Sequence, residues 1–172
     1  MAIQFAGQFE FISSFGKLLQ AHADNGEMHA SQDPGNIGTE ERWNVYVWET
    51  GLVSLSNFSN NLFLSAQPSG EAVANRGQPS IWEQWTLHAN GDKTTISLLG
   101  YHGKWLTAQA PGNNTQWGGE VAADRDACGA WEHFSMIPSA QLDVRTQNWF
   151  NSVTNALQQA AGVAAVVIPL IP

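Results

Sequence analysis

The 172-residue chain is predicted to be all-β, with three four-stranded repeats closed into one pseudo-threefold barrel, followed by a C-terminal amphipathic α-helix and an apolar tail. Three observations predict this. Short windows of apolar alternation at period 2 are bounded by Gly, Asn, Pro and Asp. The same motifs return in the same order, about every 45 residues. After Pro138 the apolar spacing changes to threes and fours.

The elements follow in order within each repeat. An alternating pair opens it: Phe9 and Phe11, Val53 and Leu55, Ile96 and Leu98. Next come "GKLLQA" from Gly16, "NLFLSA" from Asn61 and "GKWLTA" from Gly103, which align Leu19, Leu64 and Leu106. Gly16, Asn61 and Gly103 share one turn position, and glycine and asparagine adopt positive φ most cheaply. The third element is "GEMHA" from Gly26, "GEAVA" from Gly70 and "GEVAA" from Gly119. The fourth is "EERWNV" from Glu40, "WEQWTL" from Trp82 and "WEHFSM" from Trp131, in which Glu41, Glu83 and Glu132 coincide and Trp43, Trp85 and Phe134 follow two places later. These glutamates are expected to accept backbone hydrogen bonds near a turn. In "GKWLTA", Leu106 and Ala108 should face the core, Trp105 and Thr107 the other side of the strand, and Lys104 should flank the turn.

The repeats run over about 7–47, 50–88 and 94–138, within a first domain of 1–138. One four-stranded unit cannot bury its own apolar face, and three units are fewer than the four or more blades of a propeller. Closure of twelve strands into a barrel with capping hairpins fits the count.

The triple recurrence of Gly-Lys-aromatic-Leu-x-Ala, Gly-x-x-x-Ala and Trp-Glu-x-(Trp/Phe)-x-(Leu/Met) resembles the fascin-like β-trefoil of the actin-crosslinking-like superfamily. The chain departs from the pattern at Glu40, where the other repeats have Trp82 and Trp131, and at Asn61-Leu62, which replaces Gly-Lys. The resemblance implies a β-trefoil with actin or glycan binding among its roles. Fascin itself uses several trefoils in tandem, so a single one would crosslink only as an oligomer. A ricin-type lectin is less similar: Gln147-Asn148-Trp149 matches its Gln-x-Trp signature once, outside the repeats.

Charge narrows the partners. With 7 Lys and Arg against 15 Asp and Glu the net charge is −8, and no basic cluster occurs. Nucleic acid, which demands a cationic stripe, is excluded as the expected partner, and anionic membranes repel the average surface. Cys128 is the one cysteine, so no intrachain disulfide and no paired-cysteine zinc site can form. The amino terminus lacks the charged start and apolar stretch of a secretory signal, so a cytoplasmic location or release by a non-classical route is expected.

Catalysis finds no motif. His22, His29, His88, His102 and His133 show no i, i+4 pairing, and no nucleophile elbow, P-loop or dinucleotide fingerprint occurs. A non-enzymatic protein without cofactor or metal is expected. The third repeat carries an extra loop, "PGNNTQWGG" from Pro111, whose Trp117 has no counterpart in the other repeats. A tryptophan beside amides suits stacking on a sugar ring, so Trp117, Asn113 and Asn114, with Tyr101 and His102 at the neighbouring turn, are the expected ligand residues. The alternative is that Trp117 folds back over the barrel.

The segment 139–172 reads as one amphipathic helix, N-capped by Asp143 or Thr146 and ended by Pro169. From Ala160 onward no polar side chain occurs, yet 13 residues are too few to span a bilayer as a helix. The apolar stripe has three outlets: its own trefoil, a second copy, or a membrane after some trigger. Its polar face lacks Lys and Arg, which disfavours the membrane. Trp149, Phe150, Val153, Leu157, Ala161, Ala164, Val167 and Ile168 are therefore expected at a homo-oligomer or membrane interface. The expected function is a binding and self-assembly module for a glycan or an actin-like protein. The alternative is a membrane-active or toxin-like protein whose trefoil targets a surface and whose tail inserts.

Overall fold

The computed structural model describes residues 3–110 and 120–170. The first repeat holds β1 (Ile3–Ser13), β2 (Leu18–Ala21), β3 (Met28–Gln32) and β4 (Trp43–Trp48). The second holds β5 (Val53–Asn57), β6 (Phe63–Ala66), β7 (Ala72–Arg76) and β8 (Thr86–Ala89), and the third β9 (Ile96–Leu99), β10 (Trp105–Ala108), β11 (Val121–Arg125) and β12 (Phe134–Pro138). A 3₁₀ turn precedes each fourth strand, at Thr39–Glu41, Ile81–Glu83 and Ala130–Glu132.

The first and fourth strands of each repeat form a closed ring, β1–β4–β5–β8–β9–β12 and back to β1. The β5–β8 step is a single bridge, in which Val53 and Trp85 exchange N–H···O bonds of 2.9 and 2.8 Å. The remaining strands pair as hairpins β2–β3, β6–β7 and β10–β11. These meet one another through the bridges Glu27 with Val73, Glu71 with Ala122 and His29 with Glu120.

The recurrent motifs each have a structural task. Gly16, Asn61 and Gly103 take φ of 75°, 60° and 74° at the hairpin turns. Phe9, Phe11, Val53, Leu55, Ile96, Leu98, Leu19, Leu64, Leu106, Trp43, Trp85 and Phe134 are all buried in the common core. The Trp43 and Trp85 indoles donate to the Leu19 and Leu64 carbonyls at 3.1 Å, bonds Phe134 cannot make. Glu41, Glu83 and Glu132 accept the N–H of Gly38, Ser80 and Gly129, each at 2.8 Å, as the spacing predicts. Leu106 and Ala108 face the core, Trp105 is half-buried against His88, and Lys104 pairs with Asp126 beside the turn.

The tail departs from expectation. Helix α1 (Val144–Gln159) begins as predicted, with Asp143 Oδ1 accepting the Thr146 N–H at 2.8 Å. It ends at Gln159, ten residues before Pro169. The chain then forms β13 (Ala164–Val166), antiparallel to β8 with Ala164, Ala165 and Val166 opposite Ala89, His88 and Leu87. The cause is an unfilled edge: β5 begins at Val53 and has no residues left to pair β8 beyond Trp85. A valine-rich segment satisfies that edge better than it extends a helix. In the first repeat the early part of β1 does the same for β4, pairing Phe5 with Tyr46 and Gly7 with Val45. Ala164, Val167 and Ile168 are thus not helical.

The helix stripe is spent on its own barrel. Trp149, Val153, Leu157 and Ala160 join the core, with Val166 and Leu170 from the strand segment. The Trp149 and Phe150 rings lie 6.2 and 5.2 Å from Phe9, and the Trp149 indole donates to the Ile168 carbonyl at 3.0 Å. Residues 139–170 therefore share the barrel's core rather than forming a second one. Ala161, Ala164 and Val167 are exposed. No helix among the described residues is long and apolar enough to cross a membrane.

Candidate ligand-binding site

In the second and third repeats the 3₁₀ turn sets its second residue, Trp82 or Trp131, against the hairpin turn of the next repeat around the barrel. In the second repeat Glu83 turns inward, held by the Ser80 N–H, which leaves Ile81 half exposed and sets Trp82 beside the next hairpin. The Trp82 ring lies 5.4 Å from His102, and His102 lies 5.4 Å from Tyr101, tilted and edge-on respectively. Tyr101 is 59% exposed, the most open aromatic ring among the described residues. Beside this cluster is a groove of about 330 Å³ lined by Arg76, Gln78, Ser80, Ile81, Trp82 and Glu83. Arg76, Gln78 and Ser80 are exposed, so the groove joins aromatic surface to a guanidinium, an amide and a hydroxyl. That set of groups can stack on a pyranose face and bond its hydroxyls.

Tyr101 and His102 lie together at the hairpin turn beside this groove. Trp117, Asn113 and Asn114 lie outside the described residues. Trp82, with Arg76, Gln78, Ser80 and Ile81, is not among the residues the sequence singles out, because the Trp-Glu pair recurs with the repeat. The signal was nonetheless present: the first repeat folds with Glu40 in that place, so the fold does not require a tryptophan there.

Two other places concentrate polar chemistry. A cavity of about 530 Å³ lies among the three hairpins, lined by Asn25, Glu27, His29, Ser69, Glu71, Glu120 and Asp124 with their neighbours. There the buried His29 has its pKa lowered by burial and further by His22, whose ring is 4.7 Å away. Among the described residues no three His, Cys, Asp or Glu are grouped to hold a metal ion. At the other place, Cys128 Sγ lies 3.2 Å from Ser97 Oγ, and burial pushes the thiol up, away from the thiolate a nucleophile needs.

No family model matches the chain, and no curated protein matches it. Solved structures do. The designed threefold-symmetric protein ThreeFoil is 17% identical, with a TM-score of 0.62 over 76% of this chain and 98% of that one. SeviL, solved bound to asialo-GM1 saccharide, is 14% identical with a TM-score of 0.62 over 78% and 98%. The Haemophilus ducreyi cytolethal distending toxin is 12% identical with a TM-score of 0.63 over 81% and 88%. At these identities the likeness establishes the fold; the fascin-like branch of it is not what these likenesses show. Strand order, hairpin caps and comparisons agree that the chain is a β-trefoil carrying a C-terminal helix and an added strand.

Proposed function

We propose that this protein is a non-catalytic carbohydrate-binding module whose site is the groove of Arg76, Gln78, Ser80, Ile81 and Trp82, extended by Tyr101 and His102. The observation that carries the reading is an aromatic cluster, opened to solvent at Tyr101, beside a groove whose Arg76, Gln78 and Ser80 are exposed. A trefoil of the same architecture, SeviL, binds a saccharide, which supports the class of ligand.

The fascin-like reading, with an actin-type partner, draws on the repeat motifs. Those motifs are already accounted for by turns, capping glutamates and core packing. Self-association through the helix would have to use what is left outside, chiefly Val144, Val163 and Val167, because Trp149, Val153 and Leu157 are buried. The test is binding of the full chain to an immobilised saccharide panel, followed by Trp82→Ala and Tyr101→Ala. Loss of about tenfold in affinity with an unchanged melting temperature is expected. A chain that retains no saccharide, or variants that bind as well as the parent, would overturn the reading.

A further inference from the structure

The three repeats allow the groove to be compared with its own counterparts. Its guanidinium comes from the last residue of β7, its tryptophan from the second residue of the 3₁₀ turn, and its flanking ring from the residue before the next hairpin's turn glycine. In the third repeat these positions hold Arg125, the last residue of β11, with Trp131 and Phe15. The parts are assembled there too: the Phe15 ring meets Trp131 edge-on at 5.9 Å, and the Arg125 guanidinium sits 5.7 Å from the Trp131 ring centre. Phe15 is exposed and Trp131 half-buried.

In the first repeat the same positions hold Gln32, Glu40 and Asn60. Arginine and tryptophan are lost together, and the site is closed by internal bonds. Glu40 Oε2 accepts the Ala23 N–H at 2.6 Å, and Asn60 donates to the Ala23 carbonyl at 3.1 Å. The fold therefore forms with or without the Arg–Trp pair, so folding alone does not demand it in the other two repeats.

Charge gives the ligand class. Only 7 cationic residues occur against 15 acidic ones, yet two of the arginines occupy this one equivalent position. Arg76 has no ion-pair partner among the described residues. Arg125 Nε has Asp124 Oδ1 at 3.5 Å, which neutralises it in part. A planar guanidinium that shares a groove with an aromatic ring matches an oxyanion next to an apolar sugar face, since it offers parallel donors to two oxygens at once.

Resting on the carbohydrate-binding reading, we propose that the chain carries two pseudo-equivalent sites, Arg76–Trp82–His102 and Arg125–Trp131–Phe15, and that both take an acidic saccharide bearing a carboxylate or sulfate. The first site is the tighter, because Arg125 shares its charge with Asp124.

The test uses the full chain on a panel of matched neutral, sialylated and sulfated saccharides, then calorimetric titration with 3′-sialyllactose, 3′-sulfolactose and lactose. Expected are at least about tenfold tighter binding of an acidic member than of lactose, two sites per chain, and weakening with added salt. The tighter of the two acidic probes names the oxyanion. Arg76→Gln should abolish the tight site and Arg125→Gln the weaker one, and both variants should fold, since Gln32 already occupies this position in the first repeat. Equal binding of lactose, one site instead of two, or unchanged titrations of both variants would refute the proposal. Retention of neutral saccharides alone would refute it while leaving the carbohydrate reading standing; retention of none would remove both.

Discussion

Replacing Trp149 by Ala separates an integrated tail from an appended one. Trp149 is 4% exposed, its ring meets Phe9 of the barrel and its indole donates to the Ile168 carbonyl at 3.0 Å. Removing a buried aromatic side chain costs about 3–5 kcal/mol, depending on how far the site collapses. The lost hydrogen bond leaves the Ile168 carbonyl, just beyond the tail strand, without this donor, which adds roughly 1 kcal/mol. Against a total stability of about 5–15 kcal/mol this is a large fraction. In a chain of this size each kcal/mol lowers the melting temperature by roughly 2–4 °C, so a fall on the order of 10–15 °C is expected. The assay is thermal unfolding followed in parallel by far-ultraviolet circular dichroism, which sees the helix, and by tryptophan emission, which sees the core. Val144→Ala, at a position 79% exposed, serves as the control and should change little. A melting temperature within about 2 °C of the parent, or an early helix transition with the barrel melting at its original temperature, would show that the tail does not share the core.

Three further outcomes follow from the same geometry. Glu83→Ala strands the Ser80 N–H beside a buried carboxylate site and should cost about 1–3 kcal/mol in urea unfolding; a value near zero would deny the glutamates their framework role. Gly26→Ala would place a Cβ 2.2 Å from the Ala74 carbonyl oxygen at a φ of +73°, whereas Gly16→Ala, at φ +75°, meets open space. The first should prevent normal folding and the second cost roughly 1–2 kcal/mol, so comparable melting of the two variants would contradict the hairpin contact. Burial lowers the pKa of His29 and of His88, so the unfolded chain takes up their protons more readily than the folded one. Stability should therefore fall as pH drops through the histidine range below about 6.5, and His88→Gln should flatten that slope. At lower pH, although burial opposes it, the Thr95 hydroxyl and the Thr94 and Thr95 N–H groups hold Asp92 at about 2, so its contribution is lost as pH falls from the usual carboxylate range toward that value.

The barrel was legible because its demands are local and repeated. A turn that needs positive φ shows itself as Gly16, Asn61 and Gly103, and a turn that needs an acceptor shows itself as Glu41, Glu83 and Glu132. The end of the helix was not legible, because nothing near Gln159 records the competitor. That competitor is the free edge of β8, more than seventy residues upstream, left open because β5 starts late. Helical periodicity in the segment was real as far as Leu157, and a long-range strand pairing overrode it beyond Gly162.

The site follows the opposite logic. A position that recurs looks like scaffold, and Trp82 recurs as Trp131, whereas Trp117 has no counterpart in the other repeats. What distinguishes function in a pseudo-symmetric fold is neither recurrence nor uniqueness but a residue that the symmetry permits and the fold does not require. Glu40 shows that the barrel closes without Trp82 or Trp131, and Gln32 shows the same for Arg76 and Arg125. Where both are absent, Glu40 and Asn60 fill the place with bonds to Ala23. Where both are present, Arg76 is exposed with no ion-pair partner among the described residues, and Arg125 lies over the Trp131 ring with Asp124 at 3.5 Å. A core tryptophan such as Trp85 has its indole satisfied by Leu64 and its ring enclosed. Trp82 is half-buried, with no hydrogen bond to its indole among the described residues, and the difference between the two tryptophans, three residues apart in one motif, is what the proposed ligand contact rests on.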